Sequence, residues 1–182
     1  MIDPPEPGPG SDREPAVELT GTGIRLRTTT EADAPALQAI RRAPEVLRHW
    51  DELEDGFPMR DEPEAVRFTI RAGDEIVGMV QYGEEPEPKY RHAWIDIFVS
   101  PVVRGRGIGS QAVRLVAEHL LEDRGHHRIT IDPAAGNAAA IAAYTKAGFT
   151  PVGTMRLAER DADGLGWHDA LLMELVRDPS RT

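Results

Sequence analysis

The residues that could do chemistry fall into two groups: a basic glycine loop, Arg104-Gly105-Arg106-Gly107-Ile108-Gly109, and two aspartates, Asp96 and Asp132, at the ends of apolar segments. Glycines between a strand and a helix let the backbone approach a ligand closely and turn several N–H groups the same way. The helix that follows adds the partial positive charge of its N-terminus, so the ligand type is a phosphate or pyrophosphate, and the two arginines strengthen that reading. A tight strand-to-helix turn without a ligand is the competing reading of the glycines alone. A Walker loop would end Gly-Lys-Ser/Thr, whereas this one continues Gly109-Ser110-Gln111. A dinucleotide fingerprint would sit on a first strand, but three strands precede the one that feeds this loop, and its third glycine falls one position early.

Asp96 interrupts the apolar segment Ala93-Trp94-Ile95-Asp96-Ile97-Phe98-Val99, and Asp132 precedes Pro133 just after Arg128-Ile129-Thr130-Ile131. A carboxylate inside an apolar strand is costly to bury without a partner. Ligands in open α/β sheets bind beyond the carboxyl ends of the strands, which places both aspartates well for a cationic acceptor. A satisfied structural hydrogen bond for Asp96, and an Asp-Pro turn for Asp132, are the alternatives.

The elements that must position these groups follow from pattern and composition. The chain has 182 residues, 40% hydrophobic and 29% charged, enough for one α/β domain with a real core. Residues 1–17 carry five prolines, two glycines and a net charge of −3, and are expected to form a flexible leader; residues 178–182 are expected to be a tail. Alternation in Gly23-Ile24-Arg25-Leu26-Arg27-Thr28 suits a strand, and Thr30 with Asp33 suits a helix start. Pro44 breaks that helix, and a short second one is expected from Glu45 to about Trp50. Residues 51–64 hold seven acids against one arginine and read as an acidic loop or short irregular helix. Two strands follow, joined at Ala72-Gly73-Asp74, then the strand bearing Asp96, the glycine loop and its helix. A short strand, an Ala-rich helix ending at Gly148 and two closing strands complete the order β-α-α-β-β-β-α-β-α-β-β.

Charge and composition exclude several classes. With 21 basic and 31 acidic residues the chain carries a formal charge of −10, which argues against a nucleic-acid surface. There are no cysteines, so disulfides, thiolate catalysis and Cys-zinc sites are excluded. None of the six histidines pair at the spacing of a metal helix, so no metal is expected. No apolar run approaches a membrane span and no signal pattern opens the chain, so a cytoplasmic protein is expected.

The glycine loop and a second string, Asn137-x-x-Ala140-x-x-x-Tyr144-x-x-x-Gly148-Phe149, together resemble the GNAT superfamily of N-acetyltransferases over roughly residues 18–176. The resemblance implies a mixed, mostly antiparallel sheet flanked by helices, with a splayed parallel strand pair holding acetyl-CoA. It implies that amides from Gly105 to Ser110 hold the pyrophosphate, that Asn137 meets the pantetheine arm and that Tyr144 faces the sulfur. The longer string from Ile131-Asp132-Pro133 to Lys146-Ala147-Gly148-Phe149 looks like that of aminoglycoside 6′-N-acetyltransferases, whose strand aspartate is matched by Asp96. Lysine acyltransferases of siderophore pathways carry a similar string.

Acetyl transfer to an amine requires a held thioester, a proton acceptor for the ammonium, an oxyanion donor and a proton for the leaving thiolate. No covalent nucleophile is required. Asp96 and Asp132 are the candidate proton acceptors, and a backbone N–H near Phe98 or Val99 is the candidate oxyanion donor. Tyr144, in the resemblance's register, is the candidate general acid, although its helical spacing from Ile141 also suits core packing. Trp50 could stack on a sugar or pack in the core. Glu52 and its acidic neighbours could line a pocket mouth or form a solvated face. His168 and Asp169 could line the acceptor cleft or be a solvated pair. The expected activity is acetylation of an aminoglycoside 6′-amine; the alternatives are another amine (a siderophore lysine precursor, a polyamine, a protein N-terminus) or a non-catalytic acyl-CoA sensor. A monomer or a homodimer is compatible with the sequence.

Overall fold

The computed structural model describes residues 17–50, 53–59 and 64–178. The strands are β1 (Glu18–Thr20), β2 (Arg25–Thr28), β3 (Val66–Ala72), β4 (Glu75–Glu85), β5 (His92–Val99), β6 (Arg128–Ile131), β7 (Thr150–Arg160) and β8 (Trp167–Val176). The helices are α1 (Ala34–Arg41), α2 (Pro44–Leu47), α3 (Ile108–Glu122) and α4 (Ala138–Lys146). The eight strands form one sheet in the order β1-β2-β3-β4-β5-β6-β8-β7, antiparallel throughout except for the pair β5–β6. Glu18–Thr20 is a strand that the sequence pattern did not separate: it forms a hairpin with β2 across Gly21 and Gly23.

Alternation along the strands divides the core into two layers. One face of the sheet carries Phe68, Val80, Tyr82, Ile95 and Ile97 against α3, whose Ala112, Val113, Val116 and Leu120 are fully buried. The other face carries Met79 and Phe98 against Leu37 of α1, Val46 of α2 and Phe57. The stretch read as a solvated acidic loop therefore has an apolar anchor, since Phe57 is buried there. Gly148, with φ +104, closes α4 in the left-handed region as expected of a residue just past a helix end.

Asp33 pins the entry to α1. Its carboxylate accepts two hydrogen bonds from Arg27, at 2.7 and 2.5 Å, and others from the Thr30 amide, the Thr30 hydroxyl and the Thr69 hydroxyl. Burial alone would push its pKa up, but these donors override burial and hold it down to about 2. A depressed carboxylate stabilises the fold above its unfolded pKa and loses that contribution as pH falls through the folded value. Asp33→Asn is expected to cost about 2 kcal/mol in urea unfolding at neutral pH. The gap between variant and wild type should close between about pH 4 and pH 2.

Candidate active site

The site begins where the sheet opens. β5 and β6 pair only at Ala93–Ile129 and Trp94–Thr130, and beyond these residues the two parallel strands part. The Ser100 amide donates to the Val77 carbonyl at 2.7 Å, so even-numbered residues of β5 turn their backbone toward β4. Odd-numbered Ile97 and Val99 then turn theirs into the gap. The Ile97 amide donates to Asp96 Oδ1 at 2.8 Å. Val99 N–H is therefore the strand-end donor facing the gap, whereas the Phe98 amide, expected as an alternative, faces β4.

A cavity of about 320 Å³ runs from this gap to the glycine loop. Gly105 and Gly107 adopt φ of +75 and +77, a conformation that favours glycine, and Gly107 is the N-cap of α3. The first amides of that helix, on Ile108, Gly109 and Ser110, have no intrahelical acceptor. No first-turn residue is acidic, and a Cβ at Gly105, Gly107 or Gly109 would meet nothing within 4 Å. This open, electropositive cradle fits a pyrophosphate. The Arg104 guanidinium donates to the Glu45 carbonyl at 3.0 Å and ties the loop to α2; Arg106 is exposed beside it. Ala139, Ala140, Ala142 and Ala143 of α4 give the same cavity a wall of small apolar side chains. Asn137 caps α4, its Oδ1 accepting from the Ala140 amide at 3.2 Å, so the amide NH₂ is the end left for a ligand.

A second cavity, of about 490 Å³, lies on the other side of the gap and holds Asp96, Asp132 and Tyr144 together. The two cavities share His49, Trp50, Ile97, Asn137 and Tyr144 as their common wall. Tyr144 is 8% exposed; burial, then the negative charges of Asp96 and Asp132, push its hydroxyl pKa well above the usual tyrosine value and keep it protonated. Asp132 sits at the exposed end of β6, on a segment held along β8 by Leu171 N–H to the Pro133 carbonyl and Ala135 N–H to the Asp169 carbonyl, both 2.8 Å. Partial burial, then the Glu159 charge, raise the Asp132 pKa.

Trp50 packs against the smaller core cluster. Its ring packs edge-on against Phe98 at 5.2 Å, lies under the Arg41 guanidinium at 4.6 Å and lines both cavities. His168 lines the second cavity, where its partners are Asp161 at Nδ1 and Glu159 at Nε2, each at 2.9 Å. Burial alone would lower its pKa, but the two carboxylates raise it. Asp169 is not among the residues that line this cavity; its Oδ1 accepts from the Leu157 amide at 2.8 Å, at a bulge where Leu157 has φ +50. Glu52 lies outside the described residues. Across the cavity, burial, then the charges of Arg48, Arg104 and His168, lower the His49 pKa.

Sequence reasoning missed Arg41, Gln81 and Glu159 as lining residues. Glu159 had a signal, since the hairpin register across the Asp161-Gly164 turn sets it opposite His168. Arg41 had none, because a basic residue ending a helix reads as a solvated dipole partner. Among the described residues no group of His, Asp or Glu could hold a metal ion, and no helix is long and apolar enough to cross a membrane.

Comparisons with known proteins agree with this geometry. The profile of the Acetyltransferase (GNAT) family matches residues 28–149. A mycothiol acetyltransferase from Corynebacterium glutamicum is 36% identical over 78 residues, which are 43% of this chain and 26% of that protein. The match thus spans about a quarter of that relative. The solved structure of RimL, a ribosomal alpha-N-protein acetyltransferase in complex with coenzyme A, superposes with a TM-score of 0.75 at 22% identity, covering 89% of this chain and 99% of that one. A chimera of the spermidine N-acetyltransferase SpeG from Vibrio cholerae reaches 0.69 at 18% identity, covering 85% and 96%. Members of the family use acetyl-CoA. By this match and this architecture, the chain belongs to the GNAT acetyltransferase family.

Proposed function

We propose that the chain is an acetyl-CoA-dependent N-acetyltransferase that acts on a primary amine of a polar, cationic small molecule, in its sharpest form the 6′-amine of an aminoglycoside. The observation that carries the reading is the meeting of two cavities at Tyr144, with the phosphate cradle at the far end of one and two carboxylates lining the other. Bound acetyl-CoA supplies the acetyl thioester. Asp96 takes the proton of the incoming ammonium, directly or through water, and Asp132 orients the amine or shares the proton. Val99 N–H faces the position where the thioester oxygen gains negative charge. The Tyr144 hydroxyl gives its proton to the departing sulfur as the C–S bond breaks and the C–N bond forms, and the second proton shed by the nitrogen restores the tyrosine.

Tyr144→Phe is expected to lower turnover about 10²–10⁴-fold with acetyl-CoA affinity nearly intact, because only the proton donor is removed. Wild-type turnover in that variant, measured where chemistry limits the rate, would reduce Tyr144 to packing.

The volume of about 490 Å³ suits a drug-sized acceptor, and Glu54, Asp96, Asp132 and Glu159 give its wall four carboxylates. A second reading, acetylation of a protein N-terminus, is favoured by Arg41, Arg48 and Arg160 on the same wall, which would accept an acidic segment behind the amine. The solved structures of similar fold act on ribosomal proteins as well as on spermidine. An acetylation panel separates these readings: aminoglycosides with and without a 6′-amine, spermidine, a lysine derivative and acidic peptides with free N-termini. Equal rates on 6′-amino and 6′-hydroxyl compounds, or no rate on any aminoglycoside, would overturn the aminoglycoside form.

A further inference from the structure

Asp96 is one end of a polar row that crosses three strands on the face of the sheet covered by α1. The register sets Arg67 of β3 opposite Gln81 of β4, and Gln81 opposite Asp96 of β5. Arg67 and Gln81 are buried, 7% and 3% exposed. Arg67 Nε donates to Gln81 Oε1 at 3.0 Å, and its Nη1 donates to the Pro58 carbonyl at 2.9 Å. A guanidinium has donors only, so it fixes which end of the Gln81 amide faces β3: the oxygen. The NH₂ end is thereby turned toward the β5 side, where Asp96 stands and where Gln81 joins the acceptor cavity wall. A buried glutamine set in one orientation beside a carboxylate is an orienting donor, because a carboxylate accepts only and an amide NH₂ donates only.

We propose that Gln81 is a positioning residue for acetyl transfer: held by Arg67, its amide NH₂ donates to Asp96 and fixes that carboxylate, charged, at the wall of the acceptor cavity. The proposal rests on the reading of Asp96 as the proton acceptor. It explains why a strand that is otherwise apolar carries the aspartate at this position and not two residues away, since only Asp96 is in register with Gln81. The other charged groups of the cavity are Arg41 from α1, Arg48 and His49 after α2, Glu54, Asp132 after β6, Glu159 and Arg160 on β7, and His168 on β8. They are common to every variant below, so a change in Asp96 reports position 81.

The test reads Asp96 directly and needs no acceptor. Protein labelled with ¹³C at the aspartate carboxyl carbons is titrated by NMR, and the Asp96 resonance is assigned as the one missing from Asp96→Asn. In Gln81→Met, which keeps the volume and removes the amide, the Asp96 midpoint is expected to rise by about one unit, a tenfold change in proton affinity. Gln81→Asn stays neutral and keeps a carbonyl acceptor, but is one methylene too short to bridge Arg67 and Asp96 together, so the midpoint should again rise; it serves if Gln81→Met does not fold. A midpoint within about 0.3 unit of wild type in the folded variant would overturn the proposal, leaving Gln81 as a partner of Arg67 alone. Failure of the proton-acceptor reading shows separately, as an Asp96→Asn protein that keeps wild-type kcat/KM in the acetylation assay.

Discussion

Gly107→Asp is expected to abolish measurable acetyl-CoA binding in calorimetry while the protein stays folded. The substitution acts on three physical terms of different size. The left-handed φ of +77 costs a non-glycine residue about 1–2 kcal/mol, and aspartate bears that conformation better than most. Sterically the position is open, since a Cβ there meets nothing within 4 Å, so the fold itself is not under pressure. Electrostatically the change is severe. The new carboxylate stands at the N-cap of α3, on the amides that have no acceptor of their own, where a pyrophosphate carries its charge. One pair of like charges at 4 Å costs about 4 kcal/mol at the effective dielectric of a protein surface, which is already close to a thousandfold in affinity. Gly107→Ala, which pays the strain without the charge, should lose far less. Equal losses in the two variants would assign the effect to backbone strain, and unchanged binding in Gly107→Asp would remove the loop from the cofactor site.

How much of this was legible in the sequence follows from the range over which each signal acts. The glycine loop was legible because positive-φ glycines, the missing first-turn acids and the following apolar helix are all local, and they stand where the sequence put them. Thr30 and Asp33 were legible as a helix start for the same reason, but the further donors to Asp33 from Arg27 and Thr69 depend on the pairing of β2 with β3 and could not be read. The closing strands were found, yet their bulge was not. The register shift between Met155 and Glu159 absorbs Asp169 as a backbone acceptor and leaves His168 facing the cavity between Glu159 and Asp161. Adjacent residues on a strand point to opposite faces, so treating His168 and Asp169 as one pair could not place both correctly. Phe98 and Val99 divide on the same alternation, one amide toward β4 and the other toward the gap. The acidic stretch misled because charge content hides a single anchor: Phe57 is one residue among many acids, and it holds that segment on the core.

Asp96→Asn is expected to depress kcat/KM by about 10²–10⁴-fold on whichever amine the acetylation panel identifies, with acetyl-CoA affinity unchanged. The substitution spares the backbone at the end of β5. Asp96 Oδ1 accepts the Ile97 amide at 2.8 Å, and the asparagine carbonyl can accept the same bond, so the end of β5 and the Val99 donor beside it keep their places. What is removed is the charge and the proton-accepting lone pair, at a point in the cavity that also senses Tyr144. Asp132→Asn should cost less. Asp132 stands at the exposed end of β6 with only part of its carboxyl covered, and an orienting role is partly met by a neutral acceptor. The two variants differ in salt dependence as well. A cationic acceptor drawn by the carboxylates should lose kcat/KM as salt rises, because screening shortens the reach of charge to about 10 Å at 0.1 M. That slope should flatten in both variants, whereas the loss at a fixed salt concentration should be large only for Asp96. Wild-type kcat/KM in Asp96→Asn would transfer the proton to another group; a larger loss in Asp132→Asn than in Asp96→Asn would exchange their roles.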